Sequence, residues 1–158
     1  MVKGIYGVTI AVKDLAQAVP RYEAFLGIKA THAMELEAEN TMARLVYHRD
    51  ELLDIGFDSR AETAYFKLSG GARITLIASS DENSVVGKFI AAKGEGLLMV
   101  SLNVDDAKRE SERIKGQGIG LVLDKNATGS FGESNFVHPK TLSGVQFEIF
   151  EPSGDYRA

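Results

Sequence analysis

Glu148 stands in GVQFEIFEP, residues 144–152, where apolar and polar side chains alternate. Strand periodicity puts Val145, Phe147 and Ile149 on one face and Gln146, Glu148 and Phe150 on the other. A carboxylate on such a mixed face is a candidate base for a proton on carbon beside a carbonyl, because burial in a dry cavity raises its pKa. Three further stretches alternate in the same way. Val8, Ile10 and Val12 oppose Gly7, Thr9 and Ala11; Ile74 and Leu76 oppose Arg73, Thr75 and Ile77; Val100, Leu102 and Val104 oppose Met99, Ser101 and Asn103. The four apolar faces want helices over them. The four opposite faces carry one carboxylate, one guanidinium, hydroxyls and amides. Arg73, Thr75, Asn103 and Gln146 are therefore candidate donors to the charge of a developing enolate, where one well-placed donor is worth roughly 3–4 kcal/mol. Met99, Ile77 and Phe150 supply apolar walls.

The elements that must position these residues come in two copies. YGVTIAVKDL at 6–15 matches LMVSLNVDDA at 98–107, and RITLIAS at 73–79 matches QFEIFEP at 146–152. Each copy reads strand, helix, then three strands. In the first, Asp14 caps a helix with Leu15, Val19, Tyr22 and Leu26 on one face, closed by Gly27, and Pro20 is expected to kink or shorten it. In the second, Asp105 or Asp106 caps AKRESERIK, whose apolar stripe of Ala107, Ser111 and Ile114 is thin. KATHAMEL, AYFKLSG and RITLIAS follow in copy one; IGLVLDK, SNFVHPK and VQFEIFEP follow in copy two. The spacing predicts a first module over 1–80 with an elongated segment at about 38–61, a linker helix within 81–95, and a second module over 96–158. The expected class is α+β: two tandem βαβββ modules forming a curled mixed sheet with a central cavity. Curling turns the polar faces inward, toward a small-molecule ligand.

Composition narrows the partners. A net charge of −4 and a pI near 5.4, with Lys and Arg scattered, give no basic field for nucleic acid. No apolar run reaches membrane-span length, and MVKGIYGV lacks the apolar region of a signal peptide. The absence of cysteine excludes disulfides, thiolate metal sites and a cysteine nucleophile. The expected location is the cytoplasm, without membrane association.

In TIAVKDL, in GKFIAAKGEG followed by a strand ending VDD, and in FVHPKTLSGVQFEIFEP, the chain resembles the vicinal oxygen chelate superfamily of glyoxalases, extradiol dioxygenases and bleomycin-resistance proteins, and within it methylmalonyl-CoA epimerase. The likeness covers most of the chain except about 37–62. It implies four metal ligands, typically His on each first strand and Glu or Gln on each last strand. Here those positions read Gly7, Met99, Thr75 and Glu148, and the neighbours Tyr6, Val8, Leu98 and Val100 add no His or carboxylate, so no metal and no other cofactor is expected. The resemblance also implies a general-base glutamate on the third strand of copy one; the register of Glu62 leaves its face open. His138 matches a position such sequences carry without using it as a ligand, and with Lys140 it is a candidate contact for a ligand phosphate. A homodimer is implied too, with 38–61 as its arm.

The expected function is metal-independent proton abstraction, of lyase or isomerase type, on a small carbonyl or acyl-thioester-like compound. Glu148 is the base. Gly7, Thr9, Arg73, Thr75, Met99, Ser101, Asn103, His138, Gln146 and Phe150 are the substrate-binding candidates. Two alternatives stay open: a non-catalytic binding protein of drug-resistance type, and a metal-dependent glyoxalase or epimerase whose site is rebuilt with His32 or His48.

Overall fold

The computed structural model describes residues 1–32, 61–129 and 131–157. Strand β1 (Val2–Ala11), helix α1 (Leu15–Leu26), and strands β2 (Thr31–His32), β3 (Glu62–Lys67) and β4 (Arg73–Ala78) form the first βαβββ set. Helix α2 (Val85–Lys93) leads to the second: β5 (Gly96–Val104), α3 (Ala107–Gly116), β6 (Ala127–Gly129), β7 (Gly132–Phe136) and β8 (Phe147–Pro152). All eight strands share one curled mixed sheet in the order β2-β3-β4-β1-β5-β8-β7-β6. The two copies meet where β1 and β5 run antiparallel. Each first strand pairs parallel with the last strand of its own copy, β1 with β4 and β5 with β8.

Asp14 caps α1 by accepting from Ala16 N at 2.8 Å and Gln17 N at 3.3 Å. Gly27 ends the helix at φ 70°, a left-handed conformation that a side chain would strain. Helix α1 runs on through Pro20, so of the kink or shortening expected there the shortening does not occur. The proline ring is solvent-exposed, so the missing N–H falls on the wet side of the helix. The inner face of α1 covers Val12, Ala64, Phe66, Leu76 and Ala78 through Val19, Leu15, Tyr22 and Leu26. Full burial of Phe66 and Leu76 contributes about 1.5–3 kcal/mol each. Asp106 caps α3, and Ser84 caps α2.

The thin stripe of α3 has a polar answer. Ser111 donates to Asn126 Oδ1 at 2.9 Å, and the fully buried Asn135 donates to the same oxygen at 2.8 Å. Asn135 also accepts from Leu123 N at 3.2 Å and Phe136 N at 2.8 Å, and donates to Leu123 O at 3.1 Å. Here the structure departs from the expectation that IGLVLDK is a strand. The Asn135 side chain takes the Leu123 backbone groups that a ladder would use, leaving only an isolated bridge between Leu121 and Val137. The third ladder of the copy forms instead at β6. In KATHAMEL the described strand is Thr31–His32, preceded by Lys29 and Ala30; its residues 33–36, with 38–60 of the elongated segment, lie outside the described residues.

Because the fully buried Asn135 accepts from the Leu123 and Phe136 N–H groups and donates to Leu123 O, Asn135→Ala should cost about 3 kcal/mol and lower Tm by roughly 6–12 °C, read by thermal denaturation.

Candidate functional site

Backbone pairing sets the site. Gly7 lies opposite Arg73 on β4 and opposite Ser101 on β5, and Ser101 lies opposite Glu148 on β8. One row across the inner face therefore reads Arg73, Gly7, Ser101, Glu148. The next row holds Thr75, Thr9 and Met99, with Tyr65 of β3 beside Thr75. This corrects the sequence alignment, which set Thr75 and Met99 level with Gly7 and Glu148. A shift of two residues keeps every side chain on its own face, so alternation alone does not reveal it.

Ser101 donates its hydroxyl proton to Glu148 Oε2. Glu148 keeps part of its surface accessible, yet atoms crowd its carboxyl closely enough that desolvation governs its titration. Desolvation pushes the carboxyl up to about 6, against the opposing pull of the Ser101 hydroxyl. A group so tuned is a carboxylate at neutral pH and still basic enough to take a proton.

At the other end of the row Arg73 is buried at 8 % exposure. Three tyrosine rings surround its guanidinium, with centroids 5.2 Å (Tyr6), 5.0 Å (Tyr65) and 5.9 Å (Tyr156) from its carbon. Tyr6 donates its phenol proton to Tyr156 O at 2.8 Å and packs edge-on against Phe150 at 4.8 Å. Burial pushes the Tyr6 phenol up to about 12 although Arg73 pulls the other way, so it remains a donor. Strand alternation assigns Tyr6 to the helix side. An irregularity in the β1–β5 pairing between Ile5 and Gly7 turns it inward. Sequence reasoning missed this cage of Tyr6, Tyr65 and Tyr156. The available signal was Gly7 itself, since a glycine inside a strand marks a bulge or a close approach.

The other candidates divide. Gln146 Nε2 lies 4.0 Å from Met99 Sδ, and Met99 packs toward Leu123, Ala127 and Phe136. Phe150 stacks on Phe131 at 6.4 Å between centroids. Thr9 is buried in the second row, and Asn103 pairs with Phe150 at the far end. His138 is exposed, and its Nδ1 accepts from Lys140 N at 3.2 Å within its own turn. That turn bonds to Gly120, and no described contact brings His138 to the Glu148 row. Glu62 is exposed and pairs with Ala78 on the helix side. A groove of about 410 Å³ lined by Ile10, Val12, Asp14, Ala18, Tyr22 and Glu95 also lies on the helix side. It holds no buried carboxyl, and the chemistry lies on the opposite face.

A divalent metal in the row would face one carboxylate, a hydroxyl already bonded to it, a glycine and a guanidinium. A guanidinium offers no lone pair and repels cations. A Cβ at position 7 would sit 2.6 Å from Arg73 O, so the backbone there leaves no space for a ligand side chain. Among the described residues no three His, Cys, Asp or Glu side chains converge. These four positions do not form a metal's ligand set. His48 lies outside the described residues, and His32 is described only as the end of β2.

Fold and sequence together define the class: the chain belongs to the Glyoxalase/Bleomycin resistance protein/Dioxygenase superfamily, whose pattern it matches over residues 7–136. Among solved structures it is similar to methylmalonyl-CoA epimerase from Mycobacterium tuberculosis, with 29% identity and TM-score 0.77 over 98% of this chain and 91% of that one. It shares the fold of a Streptomyces coelicolor methylmalonyl-CoA epimerase bound to 2-nitronate-propionyl-CoA, at 24% identity and TM-score 0.75 over 98% and 100%. It is also 24% identical to the uncharacterised protein YqjC of Bacillus subtilis strain 168, over 92% of this chain and 90% of that one. No helix among the described residues is long and apolar enough to cross a membrane.

The raised Glu148 pKa has a signed consequence. The native carboxyl holds its proton up to about pH 6 while the unfolded one loses it near 4.5, so stability from this group is full below 4.5 and is lost as pH rises to about 6. Glu148→Gln removes the cost of ionisation. Its stability relative to the wild type should grow across that window by up to about 2 kcal/mol and then level, as measured by urea denaturation at stepped pH.

Proposed function

We propose that the protein is an isomerase-type enzyme that moves a proton at carbon beside a carbonyl, in an acyl-thioester-like compound, with Glu148 as the base. The observation that carries this reading is a desolvated carboxyl on the inner face, Glu148, oriented by Ser101. Glu148 takes the proton, the C–H electron pair moves into the carbonyl to give an enolate, and the resulting acid returns a proton to the same carbon. Ser101 holds the carboxylate in place, and Met99, Phe131 and Phe150 supply apolar surface on the same side of the sheet. The epimerase kinship supports the acyl-thioester class. The cysteine-free composition fits a cytoplasmic protein, and membership of this superfamily supports a homodimer.

A second reading, ligand binding without turnover, draws on the same apolar wall, which would hold a ligand whether or not its proton moves.

In deuterated water, acyl-CoA thioesters bearing a proton beside the carbonyl should gain deuterium there only when the protein is present, as read by proton NMR. Exchange requires one base that trades its proton with solvent, so it tests Glu148 whatever the stereochemical result. Glu148→Gln should lower the exchange rate by roughly a hundredfold or more. Tight binding with no exchange would establish the second reading instead.

A further inference from the structure

We propose that Thr9 and Thr75 form an oxyanion site: their hydroxyls, side by side on the inner face, donate two hydrogen bonds to the carbonyl oxygen of the ligand as it turns into an enolate. The proposal rests on the reading of Glu148 as the base and deepens it, because it names the groups that receive the charge the base creates.

Register places the pair. Thr9 on β1 lies opposite Thr75 on β4 in a parallel ladder, so their side chains leave the same face about 4.8 Å apart. One oxygen seated between two hydroxyls at that spacing accepts from both. Thr9 is 7 % exposed, and among the described residues its hydroxyl has no hydrogen-bond partner. Its oxygen is not sealed from solvent, so it opens onto the inner face. The Thr75 hydroxyl, half-buried beside it, is likewise unbonded among the described residues. Burying a hydroxyl without a partner is unfavourable, and a ligand oxygen between the two supplies the partner. The donors are also stiff. A β-branched side chain has few rotamers in a strand, and Thr9 stands between Thr75 and Met99 in its row. Donors fixed in place before the charge develops are the effective ones.

The place also suits the base. Gly7, two residues before Thr9 on the same strand, is level with Ser101, the hydroxyl that orients Glu148. With no side chain at position 7, β1 puts nothing between the carboxyl and the threonines. Two strand spacings, about 10 Å between backbones, part β8 from β1. Base, reacting carbon, carbonyl and donors fill that span in sequence. No proton leaves either hydroxyl; both hydrogen bonds strengthen as the oxygen gains charge.

Two ligands separate this role from ordinary binding: 2-nitronate-propionyl-CoA, an anion planar at the reacting carbon, and neutral propionyl-CoA, each titrated into the full chain by calorimetry. The wild type should prefer the nitronate. Thr9→Val, nearly equal in shape, should cut that preference about ten- to a hundredfold and slow deuterium exchange alike, with propionyl-CoA bound within about twofold of the wild type. Thr9→Ser, which restores the hydroxyl, should recover most of both. A hydroxyl with a purely structural role would lower Tm when replaced. Here Thr9→Val should hold or raise Tm, because an unpartnered polar group leaves the interior. Thr75→Val should act in the same direction, and it carries the test if Thr9→Val does not fold. A nitronate preference unchanged in both valine variants would overturn the proposal, as would an equal loss for the two ligands. Exchange that needs Glu148 yet is indifferent to both threonines would overturn it and leave the base reading standing. A nitronate preference set by Thr9 with no exchange at all would uphold the oxyanion site and sink the reading of Glu148 as the base.

Discussion

Taking a carboxyl out of water is the constraint around which the rest of this structure is arranged. Among the described residues Glu148 bonds to the Ser101 hydroxyl and is otherwise desolvated, so its charge is tolerated rather than welcomed. A charge held on those terms needs a rigid surround. The surround comes from strand pairing, because β8 is fixed on both sides, by β5 through a parallel ladder and by β7 through an antiparallel one.

Duplication explains how one sheet carries two opposite environments. In each copy the helix side is closed by α1 or α3, and the core residues there, Leu76 and Phe66 in one half and Ile149 and Val104 in the other, commit the strands to one register. Once those residues are buried outward, Thr75, Ser101 and Glu148 have no choice but to point inward. Packing on one side thus decides which polar groups meet on the other. The two halves achieve it unequally: α1 presents a broad apolar stripe, whereas α3 leans on the amides of the half-buried Asn126 and the buried Asn135.

Much of this was legible in the sequence, for reasons particular residues make clear. Asp14, Ser84, Asp106 and Gly27 announce helix ends because their side chains, or the lack of one, act locally. The inward set Thr9, Ser101 and Glu148 followed from alternation and the repeat. What escaped was anything set by stagger between strands. The place of Ser101 rather than Met99 beside Glu148, and the inward turn of Tyr6, depend on hydrogen bonds between distant segments that leave no trace in local pattern. The Asn135 network escaped for the same reason, since a lone asparagine in a strand does not say which backbone it will serve.

The bond from Tyr6 to Tyr156 joins residues 150 positions apart. During synthesis on the ribosome, the first copy would emerge with Tyr6, Tyr65 and Arg73 already made but with one wall of the guanidinium's enclosure still missing. The enclosure is complete only once the turn that carries Tyr156 has been made. Contacts of such long range also slow folding, because their entropy must be surrendered before they reward it. The turn at Gly154–Tyr156 thus acts as a latch on an arrangement that began with the first strand.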